Sequence, residues 1–160
     1  MDDKVIQNIF PRRQNLRLTS YDYSGQGSYF ITICTRNKQI LFGQIVDNMM
    51  KLNPFGDIIE SVWKGIPHHY TEINNDIFIV MPDHVHGIIT IYEGKRAGSK
   101  PAPTRTLSEI VRAFKTCSSR RINELRNSPG TSVWQRNYYE HVIRNENDYL
   151  EIRKNGYIRF

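Results

Sequence analysis

The sequence has few of the features that mark secreted or membrane-bound proteins. Its 160 residues include only two cysteines, Cys34 and Cys117, which lie in an apolar strand and a helix of the predicted structure. This placement favours buried free thiols over a disulfide. No apolar run approaches the roughly 20 residues needed to cross a bilayer, and the N-terminus lacks the basic and then apolar layout of a signal peptide. We therefore expect a cytoplasmic protein that does not bind a membrane.

Internal repeats and low-complexity blocks are also absent from the sequence. The length corresponds to one domain, and the 39% content of hydrophobic residues is enough to build a core. We therefore predict a single domain over residues 1–160. Residues 1–27, with Pro11-Arg12-Arg13 and a stretch rich in turn-forming residues at 23–27, predict an irregular N-terminal arm.

The positive charge of the chain is concentrated in its second half. The net charge is +6, and residues 95–160 hold 14 Lys and Arg against 6 Asp and Glu, whereas residues 1–94 hold 8 against 10. A basic half of this kind is typical of proteins that bind polyanions. Solvated helix faces account for such charge equally well, so charge alone does not decide between the two interpretations.

Two histidines, His84 and His86, are separated by one apolar residue and are followed by β-branched residues that predict a strand. Successive side chains of a strand point to opposite faces, so the two histidines share a face while Val85 points into a core. Two imidazoles on one face of a rigid strand can present nitrogen ligands to a single divalent metal. The alternative is a solvated His-x-His on an amphipathic strand. The buried strand predicted at 77–81 and the turn at Pro82-Asp83 favour the metal site, because they place the pair in a central hairpin.

The remaining periodicities predict a ferredoxin-like (RRM-like) α+β fold, with a βαββαβ antiparallel sheet, both helices on one face and an additional C-terminal helix. The first strand is predicted at 28–35, and a small hairpin at 41–52 turns at Asp47-Asn48. A helix capped by Asn53 with Pro54 at its first position is expected to stop at Gly65 and Pro67, with His68 and His69 on the surface just beyond.

A second helix starts at a capping box, Thr106-Leu107-Ser108-Glu109. Its predicted buried face consists of Leu107, Ile110, Val111, Phe114, Cys117, Ile122 and Leu125. The last strand is predicted at 133–143, and the C-terminal helix runs from 146 to about 154, where Asn155-Gly156 is expected to end it.

Several basic and aromatic residues are candidates for contacts with a DNA strand. On the second helix Arg112, Lys115, Ser119 and Arg126 recur at helical spacing and could follow a phosphate backbone. The last predicted strand mixes aromatic residues with arginines, as a surface that stacks on bases would. The predicted DNA-contacting residues are Arg12, Arg13, Arg112, Lys115, Arg120, Arg136, Tyr138 and Arg144.

Four stretches together resemble one known family over nearly the whole chain. They are Tyr-Phe-Ile-Thr-Ile-Cys-Thr (29–35), Met-Pro-Asp-His-Val-His-Gly-Ile-Ile (81–89), Arg-Arg-Ile-Asn-Glu-Leu-Arg (120–126) and Trp-Gln-Arg-Asn-Tyr-Tyr-Glu-His-Val-Ile-Arg-Asn-Glu (134–146). On these stretches the sequence resembles the single-tyrosine HUH transposases, most closely the group associated with repetitive extragenic palindromes.

The resemblance implies metal-dependent cleavage and rejoining of single-stranded or hairpin DNA. In that family two histidines, here His84 and His86, hold Mg²⁺ or Mn²⁺, and a tyrosine of the C-terminal helix forms a 5′-phosphotyrosine link. Covalent capture preserves the energy of the phosphoester for rejoining, and the metal acts as Lewis acid and template. A homodimer is left open, and neither the DNA sequence of the target nor a third metal ligand is predicted.

The C-terminal segment departs from the family pattern. The family has a Tyr-Ile pair shortly after Ile-Arg, whereas Asn155-Gly156 stands here like a two-residue insertion before Tyr157-Ile158. Tyr157 is the predicted nucleophile because Ile158 follows it, and Tyr149 is the alternative. An unbroken helix would turn Tyr157 by about 200° relative to the family register.

Three other functions fit parts of the sequence. A DNA-binding protein of the same fold that has lost cleavage would explain the altered C-terminal segment. An RNA-binding module shares the topology, but it would need an aromatic inner strand where the histidines stand. A phosphodiesterase that uses water would need a carboxylate-rich pair of metal sites, which the sequence lacks.

Overall fold

A computed structural model describes residues 26–92 and 105–156 of the protein. The elements follow the order β1 (Gly27–Cys34), β2 (Gly43–Val46), β3 (Met49–Leu52), α1 (Pro54–His69), β4 (Ile73–Val80), β5 (His84–Ile91), α2 (Leu107–Leu125), β6 (Tyr139–Ile143) and α3 (Glu146–Gly156). The N-terminal arm up to residue 25, with Arg12 and Arg13, lies outside the described residues, as does Tyr157. In the part of the chain that is described, no helix is both long and apolar enough to cross a membrane.

The main sheet has the strand order β4-β5-β1-β6, and every neighbouring pair is antiparallel. With the small hairpin β2–β3 set aside, this is the ferredoxin-like arrangement, so the predicted fold class is confirmed. The hairpin turns at Asp47 and Asn48, whose φ angles of 51° and 58° fit the left-handed turn that two-residue hairpins prefer.

One face of the sheet forms the hydrophobic core with α1 and α2. Alternate residues of β1 and β5, among them Tyr29, Ile31, Val85 and Ile89, are at most 1% exposed. They join one cluster with the buried residues of both helices. The side chains between them, His84 and His86 included, therefore point to the opposite face.

Helix α1 begins as predicted but ends later than predicted. The Asn53 side chain accepts hydrogen bonds from the backbone N–H groups of Phe55 and Gly56, and Pro54 fills the first helical position. The helix then continues through Pro67 to His69. A proline has no N–H for the carbonyl four residues earlier, and that carbonyl, of Trp63, instead accepts from Asn75 Nδ2 at 2.6 Å. A contact from β4 thus allows the helix to pass through its proline.

Helix α2 has the predicted capping box, in which Thr106 and Glu109 satisfy each other's backbone N–H groups. Its predicted buried face is confirmed from Leu107 to Ile122, except that Cys117 is only partly buried where it packs against the core. Leu125 is an exception, with an exposed fraction of 53%, because it is the last residue of the helix and no further turn covers it.

The predicted strand over 133–143 was too long. Only Tyr139–Ile143 pairs as a strand with β1, and Trp134 forms one isolated bridge to Thr35. Between them, Lys115 Nζ donates to the carbonyl oxygens of Gln135, Arg136 and Asn137 at 2.8, 3.3 and 3.1 Å. Because these three carbonyls turn toward the ammonium group, the segment cannot pair as a strand.

Helix α3 includes the pair that was expected to end it. The described helix runs unbroken from Glu146 through Asn155 and Gly156. No residue from 146 to 155 is fully buried, so α3 is the most exposed of the three helices.

Candidate functional site

The two histidines meet on the sheet face opposite α1 and α2. His84 and His86 lie on β5 at positions i and i+2, and their Nε2 atoms are 3.0 Å apart. Both rings are partly buried, so their outer nitrogens converge at one point on an accessible face. The predicted convergence of the pair is present in the structure, and its binding of a metal ion stays a prediction.

The Nδ1 atom of each imidazole forms a hydrogen bond with a second residue. Asp83 Oδ1 lies 2.6 Å from Nδ1 of His84, and Thr32 Oγ1 lies 2.8 Å from Nδ1 of His86. A neutral His84 donates its Nδ1–H to the carboxylate, which leaves a lone pair on Nε2. The Thr32 hydroxyl can accept from or donate to His86, so it permits the tautomer with a lone pair on Nε2. Carboxylate and hydroxyl partners of this kind orient imidazoles that bind metals.

The electrostatics of the site keep His86 uncharged. Burial of the ring, together with the nearby His84, lowers the pKa of His86 from 6.5 to about 4. The neutral form, which has a nitrogen lone pair to share, is therefore the form present near neutral pH.

Residues of three strands surround the histidines on this face. In the sheet register Thr32 lies opposite His86 on one side and opposite Tyr139 on the other, and Phe30 lies between Ile88 and His141. The Phe30 ring also stacks on His86 with 5.5 Å between ring centroids. This packing limits the movement of His86.

Helix α3 is bonded to both edge strands across this face. Tyr149 donates a hydrogen bond from its hydroxyl to the carboxylate of Asp76 on β4. Asp148 accepts from the backbone N–H of Arg144 and lies 3.1 Å from His141 Nε2 on β6. Since β4 and β6 are opposite edges of the sheet, the first turn of α3 lies across the same face as the histidines.

These bonds change the acidity of both α3 residues. The hydrogen bond to Asp76 raises the pKa of Tyr149 above its usual value of 10, because a carboxylate favours the protonated phenol. Desolvation would raise the pKa of Asp148, but the bonds from Arg144 and His141 outweigh it and lower this pKa.

The described residues contain no group of three His, Cys, Asp or Glu side chains that could hold a metal ion. A complete site would therefore use solvent, substrate oxygens or residues outside the described ranges in addition to the histidine pair. The predicted nucleophile Tyr157 also lies outside the described ranges, so its role at this site stays a prediction.

The predicted DNA-contacting residues that the structure describes do not form one surface. Arg112 and Arg120 are exposed on α2, the helix that covers the face away from the histidines. Ser119 lies on the same helix and Arg126 caps its C-terminal end. The Arg126 guanidinium donates hydrogen bonds to the Asn123 side chain and the Thr131 carbonyl. Lys115 already donates to three carbonyls and lies 5.8 Å from the centre of the Tyr138 ring. Arg136 and Arg144 are exposed on the segments that flank β6.

Sequence reasoning missed three residues that position the site, namely Thr32, Asp76 and Asp83. Asp83 had a local signal, since a carboxylate directly precedes His84. Thr32 and Asp76 had none, because their roles depend on which strands become neighbours and on where α3 lies.

Comparison with solved structures identifies the class of fold. The chain is similar to the REP-associated tyrosine transposase solved with a REP hairpin, with a TM-score of 0.53 and 18% identity over 86% of this chain and 74% of that one. It is also similar to a candidate transposase of Deinococcus radiodurans R1, with a TM-score of 0.51 and 18% identity over 85% and 91%. The protein therefore has the fold of the HUH single-tyrosine transposases.

A sequence relative defines the family more narrowly. An uncharacterized protein of Haemophilus influenzae Rd is 42% identical in an alignment that covers 88% of this chain and 83% of the relative. The chain belongs to the same family as that protein. No family model matches the sequence.

Proposed function

We propose that the protein cuts and rejoins single strands of DNA, with a tyrosine of its C-terminal segment as nucleophile and a divalent metal ion at His84 and His86. The observation that carries this proposal is the convergence of the two Nε2 atoms, 3.0 Å apart, on a face that a tyrosine-bearing helix crosses. The fold supports it, because a transposase with this fold was solved with a DNA hairpin. Single-stranded or hairpin DNA is accordingly the proposed partner of this chain.

The donor set fits a divalent cation. Two adjacent ligands that are each about 2.1 Å from one ion are separated by about 3 Å, which is the separation of the two Nε2 atoms. Imidazole nitrogen is a softer donor than the oxygens that Mg²⁺ prefers. Of the two ions implied by the resemblance, Mn²⁺ therefore suits this pair better. An ion held there would polarise the scissile phosphate as a Lewis acid.

The tyrosine performs the covalent step. Its phenol oxygen attacks the phosphorus and loses its proton, while the bond from phosphorus to the 3′-oxygen breaks. The products are a 5′-phosphotyrosine link and a 3′-oxygen that takes up a proton to become a free hydroxyl. Rejoining reverses these steps, because the link keeps the energy of the phosphodiester.

Two tyrosines are candidates for this role. Tyr157 is the one implied by the resemblance, on the basis of the following Ile158. Tyr149 is supported by its place on α3 across the histidine face. In the case of Tyr149, the carboxylate of Asp76 is already bonded to the phenol and is placed to accept its proton.

The test is a denaturing gel that detects protein bound covalently to a 3′-labelled hairpin oligonucleotide in the presence of Mn²⁺. We expect the wild-type chain to form an adduct, and His84→Ala and His86→Ala to lose it while they still bind DNA. Tyr157→Phe and Tyr149→Phe each remove one hydroxyl, and the variant that loses the adduct identifies the nucleophile. Tyr92→Phe, at a residue that is 52% exposed, is the control that should retain it.

A DNA-binding protein without cleavage is the second candidate function. Two observations favour it: the raised pKa of Tyr149 leaves less of its phenol in the reactive phenolate form, and the described residues contain no group of three His, Cys, Asp or Glu side chains that could hold a metal ion. Hairpin binding by the wild-type chain without any adduct would select this function over the first.

A further inference from the structure

A loop that the predicted contacts did not include lies beside the histidine pair. It is the turn Arg36–Lys38, which is separated from β1 by Thr35 alone. The residue before it, Thr35, donates to the carbonyl of Asp83 from its backbone N–H at 2.9 Å and from its hydroxyl at 2.9 Å. Asp83 in turn orients His84. The turn is thus attached to the end of the sheet where the histidines begin.

The segment before β6 reaches the same end of the sheet. The backbone N–H of Arg36 donates to the carbonyl of Val133 at 2.8 Å, and the N–H of Gln135 donates to the carbonyl of Cys34 at 2.9 Å. Arg136 follows directly. Two loops distant in sequence therefore place the backbone at Arg36, Lys38 and Arg136 near the start of β5, where His84 lies beside Cys34.

The side chains of these three residues are basic and exposed. In the part of the chain that the structure describes, none of them takes part in an ion pair. By contrast, Arg120 lies 3.8 Å from Glu124 and Lys64 lies 2.8 Å from Glu60. The two loops therefore present positive charge that no described carboxylate neutralises.

The backbone of the turn is strained at Lys38. Asn37 and Lys38 have φ angles of 54° and 52°, in the left-handed region that asparagine tolerates and lysine seldom adopts. Glycine would fit position 38 at lower cost. Strain that persists next to a functional site is a pointer to a role of the strained residue, and here the residue carries an exposed charge.

We infer that Arg36, Lys38 and Arg136 form a phosphate-binding rim, which holds the backbone of the DNA strand on one side of the phosphate at His84 and His86. The inference rests on the proposed function and adds the surface that positions the strand. Phosphate contacts of this kind fix the register of a nucleic acid without reading its sequence. The rim therefore contributes affinity that is independent of sequence and dependent on salt.

The test measures the binding of a fluorescein-labelled single-stranded DNA of mixed sequence by anisotropy over a range of salt concentrations. Each phosphate contact on a single strand contributes about 0.7 to the slope of log K against log salt. We expect the triple variant Arg36→Ala, Lys38→Ala, Arg136→Ala to lower the magnitude of this slope by about 2. Lys64→Ala, which removes one charge from α1, should leave the slope at the wild-type value.

A second variant separates binding from folding. Lys38→Gly removes the charge and also relieves the strained backbone, so it should raise the melting temperature or leave it unchanged while it weakens DNA binding. A loss of binding that only accompanied a loss of stability would overturn the inference.

The two proposals fail in different ways. If the wild-type chain binds DNA with a salt-dependent affinity and the triple variant has the same slope, only the rim is wrong. If the wild-type chain binds no DNA, the proposed function and the rim both fail. Tighter binding of an RNA strand of the same sequence would assign the rim to the wrong nucleic acid and would also overturn the inference.

Discussion

The hydroxyl of Tyr149 donates to the carboxylate of Asp76, and this one hydrogen bond joins the C-terminal helix to the edge strand β4 on the face that carries the histidines. Asp76 lies in a β-bulge between Asn75 and Phe78, both of which contact Trp63 on the other side of the sheet. The extra residue of the bulge lets Asp76 face α3 while its neighbours pack against α1. The bulge therefore places a carboxylate at the only described tyrosine of α3.

Replacement of Asp76 by asparagine should lower the pKa of Tyr149. The carboxylate raises this pKa by its hydrogen bond and its charge, and an amide removes the charge while it keeps an acceptor. An NMR titration of ring-labelled tyrosine in the wild-type chain and in Asp76→Asn would measure the difference. Asp57→Asn, on α1, should leave the Tyr149 titration unchanged, and an unchanged Tyr149 titration in Asp76→Asn would contradict the assignment of Asp76 as the cause.

The free energy of unfolding should rise with pH above neutrality because of Lys115. Burial lowers its pKa in the folded protein from 10.5 to about 8, although the nearby Cys34 opposes this shift. Between these two pH values the unfolded chain keeps a proton that the folded chain has released, so the free energy of unfolding gains a contribution that rises with pH. Urea denaturation from pH 7.5 to 10 should show this rise in the wild-type chain and in Lys64→Met but not in Lys115→Met. Parallel pH profiles of all three proteins would show that the pKa of Lys115 is not lowered.

Gly87 and Gly65 should respond in opposite directions to replacement by alanine. A Cβ at Gly87 would lie 2.5 Å from two ring atoms of Trp63, which is itself stacked on Phe78, whereas a Cβ at Gly65 would have no neighbour within 4 Å. Overpacking of this kind costs about 1–3 kcal/mol, while the exchange of glycine for alanine inside a helix gains about 0.5–1 kcal/mol. Urea denaturation should therefore find Gly87→Ala destabilised and Gly65→Ala stabilised. Equal stabilities of the two variants would mean that Trp63 moves away at little cost.

Local signals predicted most of the fold. The caps at Asn53 and Thr106 and the turn at Asp47-Asn48 act within a few residues, so they could be read directly from the sequence. The spacing of His84 and His86 likewise predicted their shared face, because alternation along a strand needs no knowledge of its neighbours.

Two of the incorrect predictions, the end of α1 and the length of the last strand, share a physical cause, which is contact between distant segments. Pro67 was expected to stop α1, and Asn75 compensates for its missing N–H. Residues 133–143 were expected to form one strand, but Lys115 of α2 donates hydrogen bonds to the carbonyl oxygens of residues 135–137. The partners of the candidate site, Thr32 and Asp76, depend in the same way on sheet register and on the path of α3.

The bond from Asn75 to the Trp63 carbonyl also has a consequence for the history of the family. With proline at position 67, the Trp63 carbonyl has no helical N–H partner, and a side-chain donor at position 75 supplies its hydrogen bond. Any other residue at position 67 has its own backbone N–H, which makes the donor at position 75 dispensable. The two positions should therefore be inherited as a pair. Among relatives, an amide at 75 should accompany proline at 67, and lineages that lost the proline should be free to vary at 75.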